Sequence, residues 1–559
     1  MSGTRLRLRP WQRAALDHYE AGREPDFLAV ATPGAGKTTF ALTAARMTLP
    51  KVSGQLVIVA PTRHLKEQWA DASEQFGLHL DADWVPGEGI PADVHGVVTT
   101  YQQVGSSPAA IAPLARDGFV ILDEIHHAGD ERSWGDGIRV AFTDAARRLA
   151  LSGTPFRSDS QPIPFLRYEA GQVRPDIEYG YGDALSDGRV VRPVFFPSFG
   201  GHMEWMAPDG AQVSASFDDP LSRTLANQRL RAALSLDGDW MVSVLDHAHE
   251  QLMRLRGRYP EAGGLVIAMD QTHANEIATL LRQRHRVRAT VAVSDDPDAS
   301  EKIAKFGVGT EPWIVAVRMV SEGVDLPRLR VGVYATTTTT ELFFRQAVGR
   351  IVRWTPGRGS GRAYLFIPDD PRLRHWAESI AEVRRHCLTR SAADEASAAD
   401  DAAAGPADLD RQHHDDDGQM SLFAVLSATV TDAPAELHVF DDPHADSELT
   451  PPDFPSDHQL GEDDRLLIDF LALPRPGSPS PRKTSRRERG RLRRLNTDLA
   501  RDLAVTTSRS HAAVNAELNR LAGVKKVSEA TVEQLQRRAD RAEEWLGKER
   551  RRARLSRFV

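Results

Sequence analysis

Cysteine is the scarcest residue in this sequence, because Cys387 is alone among 559 residues. A single cysteine excludes an internal disulfide and any zinc site built from several cysteines. Long apolar runs are missing as well, since we find no stretch of about 18 apolar residues that could span a membrane. Residues 1–10 also lack the apolar core of a signal peptide, so we expect a cytoplasmic protein.

Two parts of the chain carry a strong excess of charge of one sign. Residues 391–464 hold about twenty Asp and Glu but a single basic residue, Arg411. Residues 482–559 show the reverse, with about twenty-two Lys and Arg against about ten acids. The net charge of −8 therefore hides an acidic segment that buries too little apolar surface to order itself, followed by a basic module. Within the acidic segment, an apolar island at residues 420–430 could dock on the rest of the protein.

Short apolar runs alternate with amphipathic stretches through the first 390 residues. Runs such as Phe27-Leu28-Ala29-Val30 and Leu56-Val57-Ile58-Val59 have the length and composition of fully buried strands. This alternation predicts an α/β protein whose parallel sheets are covered on both faces, with polar motifs at the carboxyl ends of the strands. We predict five regions: a first α/β domain at 1–159, a linker with a small β-rich elaboration at 160–238, a second α/β domain at 239–390, a flexible, largely disordered acidic linker at 391–480, and a small all-α basic C-terminal domain at 481–559.

The basic C-terminal region reads as three helices. Leu495, Leu499 and Leu503 share one helical face, and Val514, Leu518 and Leu521 share another. Thr531 followed by Gln534 predicts a capping box at the start of the last helix.

A Gly-rich segment follows the first apolar run. Such a turn between a strand and a helix points backbone N–H groups at phosphate oxygens, while its Lys reaches the terminal phosphates and its Thr hydroxyl meets Mg²⁺. Ala31 stands where the strict pattern has glycine. The predicted nucleotide-binding residues of this loop are Pro33, Gly34, Ala35, Gly36, Lys37, Thr38 and Thr39.

Two carboxylates follow the apolar run Phe119-Val120-Ile121-Leu122. We expect Asp123 to hold Mg²⁺ together with Thr38, and Glu124 to orient or deprotonate the attacking water. Taken alone, an acidic pair at a strand end can be a solvated turn. Its occurrence after the phosphate loop, on the expected strand, predicts ATP hydrolysis.

These segments resemble the motif series of superfamily 2 helicases and translocases over about residues 5–385. The resemblance implies that the two α/β domains are RecA-like. Besides the phosphate loop, it is carried by six motifs, one of which contains the acid pair. They are Arg9-Pro10-Trp11-Gln12, Pro61-Thr62-Arg63, Asp123-Glu124-Ile125-His126, Leu151-Ser152-Gly153-Thr154-Pro155, Ser321-Glu322-Gly323-Val324-Asp325-Leu326-Pro327 and Gln346-Ala347-Val348-Gly349-Arg350-Ile351-Val352-Arg353.

The resemblance assigns further residues to the nucleotide site. It implies that Gln12 reads adenine, that Gly323 and Asp325 contact the nucleotide with Asp325 near the ribose, and that Gln346 lies near the attacking water. Arg350 and Arg353 would neutralise charge on the γ-phosphate, as arginine fingers do. His126, Ser152 and Thr154 would couple the ATP site to movement.

Nucleic acid is expected to lie across the top of both domains. Hydroxyls, backbone N–H groups and helix N-termini at the strand ends position a phosphate backbone without reading its sequence. The predicted contacts are Pro61, Thr62, Arg63, Thr99, Thr100, Asp270 and Ser321, with Arg491 and Arg494 of the basic region as a second site. The alternatives for the basic region are solvated charge and association with the acidic segment.

The Asp-Glu-x-His and Ser-Gly-Thr-Pro forms resemble DNA-directed members of the superfamily, related to restriction-enzyme motor subunits and repair translocases. We find no nuclease signature. The expected function is an ATP-dependent and Mg²⁺-dependent DNA helicase or double-strand DNA translocase, with DNA favoured over RNA as partner. The alternatives are an RNA helicase with the same ATP-hydrolysing domains and a nucleotide-gated nucleic-acid sensor or scaffold in a phage-defence or repair complex.

Overall fold

A computed structural model describes residues 8–129, 132–153, 162–169, 172–188, 190–293, 296, 298–317, 326–354, 361–394, 424–430 and 486–555. Among these residues, no helix combines the length and the apolar character needed to cross a bilayer.

The first α/β domain is built on a wholly parallel sheet. Its helices are α1 (Pro10–Ala21), α2 (Lys37–Thr48), α3 (Arg63–Gln75), α4 (Tyr101–Ser106), α5 (Pro108–Ala115) and α6 (Arg132–Phe142). Its strands are β1 (Asp26–Ala31), β2 (Leu56–Ala60), β3 (Leu80–Asp81), β4 (Gly96–Thr100), β5 (Phe119–Leu122) and β6 (Arg147–Ser152). Every residue of β2 and β5 is buried, as expected for central parallel strands with helices on both faces.

The segment at 160–238 does more than link the two domains. It contains β7 (Tyr168–Glu169), β8 (Gln172–Val173), β9 (Ile177–Tyr179), α7 (Tyr181–Ser186), β10 (Val194–Phe195), β11 (Ser198–Phe199), β12 (His202–Met206), β13 (Gln212–Ser216) and α8 (Arg223–Leu234). Strand β9 completes the first sheet, in the order β3-β4-β2-β5-β6-β1-β9. Residues 177–179 of the predicted linker therefore form the edge strand of the first sheet.

The second α/β domain repeats the parallel architecture. It contains α9 (Asp239–Arg258), β14 (Gly263–Ala268), α10 (Gln271–His285), β15 (Ala289–Ala292), α11 (Ala299–Val308), β16 (Trp313–Ala316), β17 (Leu329–Ala335), α12 (Glu341–Ile351), β18 (Ala363–Pro368) and α13 (Pro371–Asp394). Its sheet has the order β10-β18-β17-β14-β16-β15, and β11 also pairs with β18. The segment at 160–238 thus supplies strands to both sheets, and one continuous apolar cluster runs through both domains.

Part of the acidic segment docks on the protein. Strand β19 (Ala424–Thr429) pairs antiparallel with β12 and forms a three-stranded sheet in the order β13-β12-β19. Ala428 is 1% exposed and packs beside Gly238, where a Cβ would lie 2.7 Å from the Ala428 Cβ. Docking of the apolar island is therefore confirmed for residues 424–430, and the expectation of flexibility for the rest of 395–485 falls outside the described residues.

The basic C-terminal region folds into three helices, as predicted. They are α14 (Arg486–Thr507), α15 (His511–Ala522) and α16 (Val532–Leu555). The capping box is present, since Thr531 N donates to Gln534 Oε1 at 2.8 Å and Gln534 N donates to Thr531 Oγ1 at 3.2 Å. Leu521 was expected in the apolar face, but it is 42% exposed and the neighbouring Ala522 is buried in its place.

These three helices, called here the helical unit, are fastened to the first domain by ion pairs. Arg489 Nη2 lies 2.6 Å from Asp93 Oδ1, and both side chains are almost fully buried. Arg493 Nη2 lies 2.8 Å from Asp81 Oδ2, at the edge strand β3. The backbone N–H of Val532 also donates to Asp93 at 3.2 Å. Arg489 and Arg493, which stand on either side of the predicted nucleic-acid contact Arg491, therefore hold the helical unit in place.

We expect Arg489→Ala to loosen the helical unit from the first domain. Removing one partner of a buried ion pair costs about 3–5 kcal/mol, because the other charge stays buried without compensation. Chemical denaturation and limited proteolysis between residues 430 and 486 would measure the effect. The matched control is Arg491→Ala, whose ion pair with Glu488 is exposed and is worth about 0–1 kcal/mol; equal losses in the two variants would contradict the assignment.

Candidate nucleotide site and nucleic-acid interface

The phosphate loop follows β1 and opens α2 with a backbone that only glycine adopts easily. Gly34 has φ 84° and Gly36 has φ 89°, in the left-handed region that disfavours side chains. Gly36 is also closely covered, since a Cβ there would lie 2.6 Å from Gln12 Nε2. The helix then begins at Lys37, which places the free N–H groups of its first turn around the loop.

The N-cap and the first turn of α1 support this loop. Gln12 Nε2 donates to Gly36 O at 2.9 Å, and Gln12 Oε1 accepts from Arg9 N at 2.8 Å. Arg9 Nη1 donates to Gly34 O at 2.8 Å, and Trp11 Nε1 donates to Ala35 O at 3.0 Å. Gln12 is 2% exposed, so it acts here as a brace for the loop, and a contact with adenine would require these bonds to be exchanged.

Glu124 lies at the centre of the site in a strained backbone conformation. Its φ of 47° is unusual for a residue with a side chain and is typical of functional sites. Its Oε1 lies 2.8 Å from Lys37 Nζ, and its Oε2 accepts from Gly153 N at 2.9 Å. Burial alone would raise the pKa of Glu124, but the charge of Lys37 and these hydrogen bonds lower it to about 2. The carboxylate is therefore ionised and held against the phosphate loop.

Asp123 is the more buried acid of the pair, 7% exposed. Burial, followed by the charge of Glu124, raises the pKa of Asp123 to about 6. A nearby cation stabilises the ionised form of a carboxylate in such surroundings. Asp123 and the Thr38 hydroxyl are hard oxygen donors of the kind that Mg²⁺ takes alongside substrate phosphates, so the residues present fit this ion. The described residues hold no group of three or more His, Cys, Asp or Glu that would bind a metal by itself.

Two aromatic side chains that are not among the predicted site residues contact Asp123. Trp69 Nε1 donates to Asp123 Oδ2 at 2.7 Å, and Tyr101 Oη donates to the main-chain oxygen of Asp123 at 2.8 Å. Neither residue belongs to a recognisable motif, although Trp69 lies seven residues after Thr62 and Tyr101 follows Thr100 directly.

The second domain reaches the acid pair through α12. The amide of Gln346 donates to His126 Nε2 at 3.3 Å. The other ring nitrogen, His126 Nδ1, lies 3.3 Å from Ser152 Oγ. His126 Nδ1 also lies 3.7 Å from Glu124 Oε2. His126 thus lies between Glu124 and Gln346 across the cleft, with Ser152 beside its ring.

The two domains also meet at the phosphate loop itself. A Cβ on Gly349 would lie 2.5 Å from Pro33 Cγ, and a Cβ on Gly34 would lie 3.4 Å from Arg353 Cγ. Arg350 stands near the end of α12 and is half-buried. The structure therefore brings Arg353 and Gln346 of the second domain to the first domain. Ser321, Gly323, Asp325 and Thr154 lie outside the described residues.

The predicted nucleic-acid contacts divide into surface and interior positions. Thr62 and Thr100 are the N-caps of α3 and α4, and both are partly exposed. Asp270 caps α10 and is exposed, as are Arg63, Arg491 and Arg494, while Pro61 is partly exposed. Thr99 needs a correction, because it is 0% exposed and its hydroxyl donates to Gln103 Oε1 at 3.1 Å. The side chain of Thr99 is fully buried and cannot contact a polymer.

Comparison with known proteins places these features in context. Residues 5–157 match the family described as type III restriction enzyme, res subunit. The uncharacterized protein ML1624 of Mycobacterium leprae is 37% identical over 564 residues, covering 95% of this chain and 93% of that protein. The uncharacterized protein Rv2917 of Mycobacterium tuberculosis is 47% identical over 392 residues, covering 68% of this chain and 65% of that protein. The DNA 3'-5' translocase XPB2 of Sulfurisphaera tokodaii is 24% identical over 386 residues, covering 62% of this chain and 79% of that protein.

Proposed function

The chain belongs to superfamily 2 of the helicases, and on that premise we propose that it is an ATP-dependent DNA motor, a helicase or double-strand DNA translocase. The observation that carries the proposal is the contact between His126 and Gln346. It joins the acid pair of one parallel-sheet domain to the α12 helix of the other. DNA is favoured over RNA by the similarity to a DNA 3'-5' translocase and by the forms of the motifs around Glu124 and Ser152.

Nucleotide binding would begin at the phosphate loop. The N–H groups at the start of α2 and the Lys37 ammonium would bind the phosphates. Thr38 and Asp123 would hold Mg²⁺, which supplies charge neutralisation at the phosphates. Since phosphate and Glu124 compete for Lys37, binding would draw Lys37 away from a carboxylate that it now contacts at 2.8 Å.

That exchange would prepare Glu124 as a base. Lys37 is the main charge that lowers the pKa of Glu124 to about 2, and a carboxylate with so low a pKa accepts a proton weakly. Moving Lys37 to the phosphates would raise the basicity of Glu124 at the moment when the attacking water must be oriented. Arg353, whose stem lies against Gly34, and Arg350 would then stabilise charge on the phosphoryl group.

Hydrolysis would be linked to movement through the cleft. The contacts of Gln346 and Gly349 with the first domain exist only when the domains are close together. Nucleotide would favour this arrangement and product release would weaken it, so that polymer contacts on the two domains change their separation in each cycle.

The test is steady-state ATP hydrolysis by the purified chain with no polymer, single-stranded DNA, duplex DNA and RNA. We expect DNA to stimulate turnover at least tenfold and RNA to have little effect. The ratio of duplex to single-strand stimulation would separate a translocase from a helicase. Stimulation by RNA alone would support an RNA helicase in place of a DNA motor. If none of the polymers stimulates turnover, the proposed motor function is wrong.

A further inference from the structure

The Asp123 backbone and carboxylate are held from two different helices by aromatic donors. Trp69 on α3 bonds to Oδ2, and Tyr101 at the start of α4 bonds to the main-chain oxygen. Both side chains are buried, with exposures of 3% and 0%. A buried indole N–H or phenol O–H needs some acceptor, but here both acceptors belong to the one residue expected to hold the cation.

Both helices begin at candidate polymer contacts. Thr62 caps α3, and Thr100 caps α4 through a reciprocal capping box with Gln103. Trp69 stands seven residues after Thr62, which is about 10 Å along a helix at 1.5 Å per residue. Tyr101 is the residue directly after Thr100. Each candidate contact is thus joined to Asp123 by a single short rigid element and one hydrogen bond.

The two helices are also joined to each other. Lys66 Nζ on α3 donates to Gln103 Oε1 on α4 at 3.4 Å. The same Gln103 oxygen accepts from Thr99 Oγ1 at 3.1 Å and from Thr100 N at 3.3 Å. A polymer that orders the capped ends would therefore act on α3 and α4 together.

We propose that Trp69 and Tyr101 are positioning residues that transmit polymer occupancy at Thr62 and Thr100 to the orientation of Asp123. The inference rests on the proposed function, because it assumes that a polymer lies against these caps. The hydrogen bond from Trp69 occupies Oδ2 and fixes the carboxylate rotamer. The other carboxylate oxygen is thereby kept in one direction, and Tyr101 fixes the backbone from which the carboxylate projects.

The test is a binding linkage measured without turnover. The affinity of the full chain for a non-hydrolysable ATP analogue with Mg²⁺ is titrated with and without duplex DNA, and the ratio of the two is the coupling factor. Coupling factors between linked sites are typically about 5–150. We expect the coupling factors of Trp69→Phe and Tyr101→Phe each to lie at least about threefold closer to one than the wild-type factor. We also expect the Mg²⁺ concentration that gives half-maximal binding of the analogue in the presence of DNA to rise.

Matched controls come from the same domain. Trp84→Phe removes a buried indole N–H that donates to Glu88 O at 2.8 Å, and Tyr19→Phe removes a buried hydroxyl that bonds to Thr48 at 2.9 Å. Both lose one buried hydrogen bond without touching Asp123, so both should keep the wild-type coupling factor. Equal loss in test and control variants would show a general packing effect and would overturn the inference.

The remaining outcomes separate the inference from the proposed function. A wild-type coupling factor that exceeds one and is unchanged in Trp69→Phe and Tyr101→Phe would overturn the inference alone. Weaker analogue binding by the same factor with and without DNA would also overturn it, since the aromatic donors would then serve binding and not transmission. A wild-type factor of one for every polymer would overturn the proposed function, and the inference with it.

Discussion

Replacing Glu124 by glutamine is expected to slow ATP hydrolysis about 10²–10⁴-fold, the range for loss of a general base, while nucleotide binding is kept. Glutamine preserves the shape of the side chain and one acceptor oxygen, so the bond from Gly153 N can remain. It removes the charge that now binds Lys37 at 2.8 Å. Phosphate would then meet less competition for Lys37, and the affinity for ATP should be equal to or higher than that of the wild type.

Two measurements on the same variant separate these effects. Titration with a fluorescent ATP analogue gives the affinity, and phosphate release gives turnover with and without DNA. Glu178→Gln is a useful control, because Glu178 lines the same interdomain cavity as Pro33 and Gly153 without an ion pair to Lys37 among the described contacts. Normal turnover by Glu124→Gln would refute the role of Glu124, whereas loss of nucleotide binding would show that its main role is to shape the loop.

The sequence alone was sufficient for the parts of the fold that depend on local pattern. The phosphate loop, the acid pair and each of the long buried strands are contained in fewer than ten residues. Physical chemistry requires particular residue types there, such as glycine at Gly36 where φ is positive. The three C-terminal helices were predictable for the same reason, because their apolar faces and the Thr531 capping box are local.

What could not be predicted depends on contacts between distant residues. Strands β9, β10 and β11 have two or three residues each, too few for a periodic pattern, and only the sheets reveal where they pair. The ion pair between Asp93 and Arg489 joins residues about 400 positions apart and has no local signal. Thr99 and Thr100 look alike in sequence, yet the register of β4 buries the first and leaves the second partly exposed.

The second large effect is expected from Gly349→Ala, a change that would ordinarily favour the helix. In a helix interior, alanine is more stable than glycine by about 0.5–1 kcal/mol. A Cβ at position 349, however, would lie 2.5 Å from Pro33 Cγ and 2.9 Å from Pro33 Cβ. The helix α12 and the phosphate loop must then separate by about 1 Å, and a displacement of that size can reduce a reaction rate about 10²-fold.

We therefore expect Gly349→Ala to bind ATP through the first domain and to lose about 10²-fold in hydrolysis, without a fall in melting temperature. Gly257→Ala is the matched control, since Gly257 lies in the last turn of α9 and a Cβ there would meet nothing within 4 Å. The control should gain slightly in stability and hydrolyse ATP normally. Hydrolysis of ATP by Gly349→Ala at the wild-type rate would show that the reaction does not need the close approach of α12 to Pro33. The contact between the two domains would then not control hydrolysis.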